Sequence, residues 1–229
     1  MIENIILIPY RNRPKQLEKF INECAPIIIE NLPNSKIIII EQEEGKDFNR
    51  GFLLNCGFKE YENKCKYFLT HDIDIFPKEK AIKEIYQREI HLNEILAISS
   101  PNSSLGGVIK IGENTIFGIN GFPNNYFGWG AEDKALQNRA ELRKCEIIRY
   151  NYHKKQSSNE YFKYLPEEYK DSKKINFEQK SMFEYHLFQE LSNEDKFTHV
   201  LASGLNNLKY EVIERKSEKN VDIIKVKII

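Results

Sequence analysis

Two pairs of carboxylates have the types and spacing that metal binding and proton transfer need. Asp72 and Asp74 follow a short apolar run and are separated by one isoleucine. Carboxylates at the end of a buried strand are costly unless they face water, a cation or hydrogen-bond donors. Such a pair is a common way to hold a divalent ion against a diphosphate. Glu132 and Asp133 are adjacent and open a predicted helix, where acids also serve as simple caps.

The second acidic pair ends a stretch that is rich in glycine and aromatic residues. Residues 121–133 hold four aromatics and three glycines, and Trp129 is the only tryptophan in the chain. Glycine lets a backbone approach a ligand closely. An exposed tryptophan offers a flat apolar face that stacks on the C–H face of a sugar ring. The stretch therefore predicts a ligand-binding loop that leads into a helix over residues 132–143.

Basic side chains follow the first predicted strand. Residues 5–8 are wholly apolar, as expected of a strand that is buried on both faces, and Arg11 and Arg13 come shortly after them. Open α/β sheets bind ligands at the ends of their strands, and two arginines could hold a diphosphate with forked hydrogen bonds. The alternative is that both arginines are solvated surface residues.

These segments together resemble the β-1,4-galactosyltransferase family. Residues 120–134 match its aromatic-glycine-acid signature, except at Phe127, Ala131 and Lys134, where the family has Trp, Gly and an acid. Residues 8–13 are similar to its Pro-Phe-Arg-Asn-Arg segment, and residues 48–58 to its Phe-Asn-Arg helix. The resemblance covers residues 5 to about 155 and resumes over residues 193–210. A match of this length is far more specific than one short motif.

The resemblance implies an α/β fold of the GT-A-like type, with a Rossmann-like nucleotide-binding half and a mixed central sheet flanked by helices. It implies that Asp133 is the catalytic base and that Glu132 holds donor or acceptor hydroxyls. Asp74 would be the direct metal ligand, and His153 a second one, although Tyr150 stands where the family has a methionine ligand. The residues that it implies at the nucleotide or donor sugar are Pro9, Tyr10, Arg11, Arg13, Phe48, Arg50, Asp72, Trp129 and Gly130.

The activity that the resemblance implies is inverting, Mn²⁺-dependent transfer from a UDP-sugar to a hydroxyl of a glycan acceptor, with formation of a β-linkage. Ser104 stands where the family carries a bulky tyrosine, so UDP-galactose and UDP-N-acetylgalactosamine both remain candidate donors. His71 is expected to be a neighbour of the metal, and Met182 with His186 is an alternative metal pair. A catalytically silent sugar-binding module of the same fold is the alternative function. A glycoside hydrolase with two carboxylates is a further rival, but it would not need the arginine loop or an acidic pair at a strand end.

Composition excludes other classes. Lys plus Arg and Asp plus Glu both number 34, which argues against a nucleic-acid-binding protein with a broad basic face. No apolar run reaches the roughly 18 residues of a membrane span, and the first residues do not form a signal peptide. A cytoplasmic protein with reduced cysteines is therefore expected.

A chain of 229 residues can form one sizeable core, so we expect a single domain. Residues 1–94 would bind UDP and metal, and residues 95–229 the donor sugar and acceptor, with a variable segment near residues 156–180. Further predicted strands cover residues 37–40, 67–69, 95–98 and 146–149, and residues 210–215 and 221–229 form a closing hairpin. Helices are predicted over residues 15–31, with strain near Pro26, and over residues 77–93.

Overall fold

Ten strands and eight α-helices form the computed structural model, which describes residues 2–128, 130–150, 160–165 and 178–229. The strands are β1 (Ile2–Tyr10), β2 (Ser35–Gln42), β3 (Cys65–Thr70), β4 (Ile75–Pro77), β5 (Glu94–Ser99), β6 (Val108–Gly112), β7 (Glu146–Arg149), β8 (Phe162–Tyr164), β9 (Tyr210–Glu218) and β10 (Val221–Ile228). The helices are α1 (Pro14–Lys19), α2 (Ala25–Asn31), α3 (Arg50–Glu60), α4 (Glu79–Ala81), α5 (Glu113–Gly118), α6 (Glu132–Leu142), α7 (Glu178–Glu190) and α8 (Asn193–Ala202).

One eight-stranded mixed sheet, in the order β7-β5-β6-β3-β1-β2-β10-β9, forms the centre of the molecule. The strands β3, β1, β2 and β10 run parallel, with Ile6 of β1 opposite Leu69 on one side and Ile37 on the other. The strand β6 runs antiparallel to β3 and β5, and β9 and β10 form the predicted hairpin. The strands β4 and β8 form a separate two-stranded sheet.

Alternate side chains of β1 enter two hydrophobic cores, one on each face of the sheet. Ile6 and Ile8 pack with residues of α1, α2 and the segment between them, whereas Ile5 and Leu7 pack with residues of α3, α5 and α6. All four isoleucine and leucine side chains are fully buried, which explains why the run is apolar without alternation. The sheet with helices on both faces agrees with the predicted α/β class.

The predicted helix over residues 15–31 is present, and its irregularity lies just before Pro26. A π-helical segment, Phe20–Cys24, joins α1 to α2, and Pro26 occupies the first turn of α2. Proline cannot donate a backbone hydrogen bond, but it is tolerated in a first helical turn. The π segment therefore resets the hydrogen-bond pattern before the proline, and the chain continues as a helix.

The predicted helix over residues 77–93 is wrong in its length. Only α4 and a π-helical segment, Ile82–Tyr86, are helical, and the chain then turns towards β5. Lys110 of β6 is 1 % exposed, and its Nζ donates to the carbonyls of Tyr86 and Arg88 at 2.7 and 2.8 Å. A buried ammonium thus satisfies carbonyls at the end of the helical segment. Ile82, Ile85, Tyr86 and Ile90 of this segment are nevertheless buried, whereas Leu92 is exposed.

None of the helices in the described part of the chain is both long enough and apolar enough to cross a membrane. Cys24, Cys56, Cys65 and Cys145 are all free thiols.

Candidate active site

Asp72 and Asp74 lie on a tight turn that joins β3 to β4. The amide of Ile75 donates to the carbonyl of Asp72 at 3.2 Å and closes the turn, and both acidic residues are half-buried. The strand β3 lies between β1 and β6, so the turn leaves the middle of the sheet at the carboxyl end of the parallel strands. This is the position where open α/β sheets bind ligands. We call residues 72–75 the acid turn.

Arg50 links the acid turn to the second acidic pair. Its Nε and Nη2 lie 2.9 and 2.8 Å from Oδ1 of Asp72, and its Nη1 lies 3.8 Å from Oε1 of Glu132. The side chain is only 12 % exposed. Burial alone would lower the pKa of Arg50, but Asp72, Glu132 and Asp133 raise it above its usual value, so the guanidinium stays charged. The two acidic pairs predicted from sequence therefore belong to one site.

Glu132 is a buried acid with a perturbed pKa. It is 8 % exposed at the start of α6, and burial, followed by the charge of Asp133, raises its pKa to about 7, although Arg50 acts in the opposite direction. A carboxyl group that titrates near neutral pH can both donate and accept a proton. Glu132 therefore has the properties of a functional acid, beyond those of a helix cap.

Asp133 is held by the loop before β6. Its Oδ2 accepts a hydrogen bond from Oγ of the buried Ser104 at 3.2 Å, and its carbonyl accepts one from the amide of Leu105 at 3.2 Å. A Cβ atom at Gly106 would lie 2.1 Å from Oδ2 of Asp133, so a side chain at this position would displace the carboxylate. The glycine leaves room for the carboxylate and Ser104 donates a hydrogen bond to it, an arrangement that suits a catalytic base.

The aromatic loop, residues 121–128, is positioned by asparagines. Asn55 of α3 donates to the carbonyl of Phe122 at 2.7 Å and to Oδ1 of Asn124 at 2.9 Å, and it accepts from the amide of Phe122 at 2.9 Å. Asn124 in turn donates to the carbonyl of Gly204 at 2.8 Å. The role of Asn55 was not predicted from the sequence, because an asparagine inside a helix gives no local sign of a distant partner.

Arg139 ties α6 to the start of the aromatic loop. Its Nη1 donates to the carbonyls of Asn120 and Gly121 at 2.9 Å each, and its Nη2 donates to the carbonyl of Ser203 at 2.5 Å. The residue is 3 % exposed, and burial lowers its pKa to about 9. This arginine was not predicted from the sequence either. The one sign that it is buried is its position on the helix face that bears Ala135 and Leu136.

The predicted nucleotide-binding residues after β1 lie beside the aromatic loop. The guanidinium of Arg11 lies 5.7 Å from the centre of the Phe48 ring and donates to the carbonyl of Lys46. The carbonyl of Phe48 accepts a hydrogen bond from the amide of Gly128 at 2.7 Å. Arg11, Phe48 and the aromatic loop are thus contiguous, although they come from three separate parts of the sequence.

The other predicted nucleotide-binding residues of β1 are more enclosed. Pro9 and Tyr10 are buried at the end of β1, and the hydroxyl of Tyr10 accepts a hydrogen bond from the amide of Arg13 at 3.2 Å. Burial raises the pKa of Tyr10. Pro9 and Tyr10 therefore shape the backbone that carries the two arginines.

The metal ligands predicted from sequence are only partly covered by the structure. His153 lies outside the described residues, and so does Trp129, which was predicted to contact the donor. Gly130, also predicted to contact the donor, has a φ of +106°, which glycine adopts readily. Of the alternative pair on α7, His186 is exposed and Met182 packs beside Tyr126. Within residues 2–128, 130–150, 160–165 and 178–229, no three His, Cys, Asp or Glu side chains form a metal-binding group.

His71, the expected neighbour, is fully buried behind the acid turn. Its Nδ1 lies 2.9 Å from the carbonyl of Asp72 and its Nε2 lies 3.1 Å from the hydroxyl of Tyr86. Burial lowers its pKa to about 4, so the ring is neutral at physiological pH. Both ring nitrogens are engaged by protein groups.

Two family models match consecutive parts of the chain. Residues 2–87 match the N-terminal region of glycosyl transferase group 7, and residues 90–163 match the N-terminal domain of galactosyltransferase. The chain is 36 % identical over 155 residues to human β-1,4-galactosyltransferase 4, which covers 63 % of this chain and 44 % of the relative. It is 30 % identical over 236 residues to bovine β-1,4-galactosyltransferase 1, which covers 91 % and 50 %. The chain spans about half the length of the curated relatives it matches.

The structure is similar to the catalytic domain of Drosophila β1,4-galactosyltransferase 7, solved in complex with xylobiose. The TM-score is 0.77, and the match covers 100 % of this chain and 95 % of that one at 20 % identity. A variant of the same protein, in complex with manganese, UDP-Gal and xylobiose, gives the same values. At this identity the likeness shows the shared fold, which confirms the predicted GT-A-like class.

Proposed function

The chain belongs to glycosyltransferase group 7, and we propose that it is an Mn²⁺-dependent transferase that moves galactose from UDP-galactose to a hydroxyl group of a glycan acceptor. The observation that carries this proposal is the largely buried Arg50, which holds Asp72 of the acid turn and Glu132 of α6 within 4 Å of one guanidinium. A sugar-nucleotide transferase needs a diphosphate-binding side and an acid–base side in contact. The names of the relatives, and the complex of a fold neighbour with manganese and UDP-Gal, support the same assignment.

The acid turn fits a manganese ion in the chemistry of its donors. Carboxylate oxygens are the ligands that Mn²⁺ prefers, and the turn carries two half-buried acidic residues, Asp72 and Asp74. In keeping with the family resemblance, Asp74 is our candidate for the direct ligand, with His153 as a second, whereas Oδ1 of Asp72 is engaged by Arg50. A bound Mn²⁺ would stabilise the negative charge that develops on the departing diphosphate.

The basic and aromatic residues beside the acid turn would bind the nucleotide. Arg11 and Arg13 follow β1 and can donate forked hydrogen bonds to phosphate oxygens. Phe48, against which Arg11 lies, offers a flat face to the base. Pro9 and Tyr10 shape this end of the site, and Trp129 and Gly130 would contact the donor sugar.

Asp133 would act as the base. The acceptor hydroxyl attacks the anomeric carbon, a new carbon–oxygen bond forms, the bond from that carbon to the diphosphate breaks, and the proton moves to Asp133. Ser104 and Leu105 keep the carboxylate in place. Glu132, with its pKa near 7, can donate a hydrogen bond to a sugar hydroxyl and accept one. Attack from the face opposite the diphosphate inverts the anomeric centre, so an α-linked donor gives a β-linked product.

Ser104 keeps a second donor open within the same function. Its side chain is small and buried, and it donates a hydrogen bond to Asp133, so position 104 brings no bulky group to the catalytic base. An N-acetyl group on the donor sugar would therefore meet less obstruction than beside a large side chain. UDP-N-acetylgalactosamine is the donor to compare with UDP-galactose.

The test is calorimetric titration of UDP, UDP-galactose and UDP-N-acetylgalactosamine, with Mn²⁺ and with EDTA, followed by transfer assays with β-glycosides as acceptors. We expect binding that depends on Mn²⁺ and release of UDP that depends on an acceptor. Binding without transfer to any acceptor would support the silent sugar-binding module instead. If no nucleotide binds under either condition, the proposed function is wrong.

A further inference from the structure

We propose that His71 is a positioning residue for the metal site. It holds the backbone of the acid turn from behind and does not itself contact the metal or the substrate. The inference rests on the proposed function, because it takes Mn²⁺ binding as the reason why Asp72 and Asp74 must be held in place. His71 immediately precedes the turn, and it is fully buried. Nothing in the catalytic scheme above uses its ring.

The hydrogen bonds of the ring define its tautomer. The carbonyl of Asp72 can only accept, so Nδ1 of His71, at 2.9 Å, carries the proton and donates it. The Nε2 atom therefore accepts from the hydroxyl of Tyr86 at 3.1 Å. The same carbonyl of Asp72 also accepts from the amide of Ile75 at 3.2 Å. One carbonyl thus joins the ring of His71 to the hydrogen bond that closes the acid turn.

The ring itself is fixed by a chain of buried polar groups. The amide of His71 donates to the carbonyl of Leu7 in β1 at 2.9 Å, which places the residue against the central strand. The carbonyl of Tyr86 accepts from Nζ of Lys110 at 2.7 Å, so the residue that orients the ring is held in its turn. Because these groups are buried, water cannot replace a lost partner, and a missing donor leaves the turn without compensation.

A backbone hydrogen bond holds the opposite side of the acid turn. The carbonyl of Asp74 accepts from the amide of Leu165, which follows β8, at 2.9 Å. The carbonyls of Asp72 and Asp74 are therefore held by the amides of Ile75 and Leu165 and by the ring of His71. Of these three contacts, only the one from His71 comes from a side chain, so a substitution can remove it. Groups that orient metal ligands in this way typically change metal affinity 10- to 100-fold when they are lost.

Four variants test the inference. His71→Leu removes the donor, whereas His71→Asn keeps an amide nitrogen close to the position of Nδ1. Tyr86→Phe removes only the hydroxyl that orients the ring. Tyr67→Phe is the matched control, because it removes a buried hydroxyl that donates to the carbonyl of Ile90 at 3.3 Å, away from the acid turn.

The readouts are Mn²⁺ affinity in the presence of UDP, from the electron paramagnetic resonance signal of free Mn²⁺, and the melting temperature. We expect His71→Leu to lose at least about tenfold in Mn²⁺ affinity and His71→Asn to recover most of it. Tyr86→Phe should lose a smaller factor, while Tyr67→Phe should lower the melting temperature and leave the affinity unchanged.

Wild-type affinity in folded His71→Leu would overturn the inference, and so would equal losses in His71→Leu and His71→Asn. If His71→Leu fails to fold, the comparison of Tyr86→Phe with Tyr67→Phe decides, and equal affinities in those two variants would overturn it. Absence of Mn²⁺-dependent UDP binding in the wild-type protein would instead reject the proposed function on which the inference depends.

Discussion

The acid turn and the aromatic loop meet at Arg50, but different interactions hold them in place. The acid turn extends directly from β3, a strand that is hydrogen-bonded on both sides. Its carbonyls accept hydrogen bonds from Leu165, which follows β8, and from one buried ring. The aromatic loop has no strand partner and depends on side chains, mainly Asn55 and Arg139. The first region takes its position from backbone pairing, and the second from a polar network in the interior.

This difference implies different sensitivities to mutation. Changes in the acid turn should remove ligand groups and leave the fold intact, since the sheet persists without them. Changes in the network behind the aromatic loop should unfold or loosen the second region, because buried carbonyls would lose their donors. Substitutions that separate binding, catalysis and stability can therefore test the contrast.

The largest effect is expected from Asp133→Asn. The substitution keeps the shape of the side chain but removes the base, so transfer should fall about a thousandfold while Mn²⁺-dependent UDP binding persists. The measurement is steady-state transfer together with calorimetric UDP binding. Glu194→Gln, at an exposed acid in the first turn of α8, is the control and should be fully active. Near-normal transfer by Asp133→Asn would remove Asp133 from the role of base.

Next in size is the effect of Arg139→Met on stability. The carbonyls of Asn120, Gly121 and Ser203 would lose their donor, so the free energy of unfolding should fall by about 3 kcal/mol. Arg143→Met, one turn later and directly after α6 at an exposed site, should change it by less than about 0.5 kcal/mol. Urea denaturation measures both variants. Equal losses would show that the loop does not depend on the buried guanidinium.

A smaller and purely local effect is expected from Asp74→Ala. The affinity for UDP in the presence of Mn²⁺ should fall at least about thirtyfold, because a direct ligand should matter at least as much as the groups that orient it. The melting temperature should hardly change, since the turn is fixed by backbone hydrogen bonds. Binding in EDTA supplies the internal control. Unchanged affinity in Mn²⁺ would reject the metal assignment and remove the main difference between the two regions.

The sequence predicted the sheet well for a physical reason. Strands that are buried on both faces must be apolar throughout, so the runs at residues 5–8, 37–40, 67–69 and 95–98 were recognisable, and all four lie in the central sheet. The helix over residues 77–93 was predicted too long, since its apolar spacing continues after the helix ends. The carbonyls at its end are satisfied by Lys110, a tertiary partner that no local pattern shows.

The candidate site was predicted in part. Local motifs identified Asp72, Asp74, Glu132 and Asp133, since acids at strand and helix ends are visible in sequence. The contact of Arg50 with Glu132 and the network of Asn55 and Arg139 were not predicted. Polar residues inside helices usually face solvent, and only the folded chain shows that these point inwards to partners far away in sequence.

The smallest expected effect is on the pH dependence of the free energy of unfolding, to which each of the two regions contributes one buried titratable group. The pKa of Glu132 is raised from about 4.5 to about 7, so the folded state binds the extra proton and stability falls as pH rises through this window. The pKa of His71 is lowered from 6.5 to about 4, so the unfolded state binds the extra proton and stability rises as pH increases from about 4 to 6.5. In the wild-type protein the two contributions therefore oppose each other between about pH 4.5 and 6.5.

Single variants should separate these contributions. In Glu132→Gln only the His71 contribution remains, so the free energy of unfolding should rise with pH, relative to wild type, by about 1 kcal/mol per unit in this window. In His71→Asn it should fall with pH by a similar amount relative to wild type. Urea denaturation between pH 4.5 and 7.5 measures both, with Glu194→Gln as the exposed control. If the pH dependence of both variants runs parallel to that of wild type, Glu132 is not held protonated and His71 is not held neutral by burial. Opposite slopes would show that the buried ring of His71 behind the acid turn excludes a proton, while the buried carboxyl group of Glu132 at the start of α6 retains one.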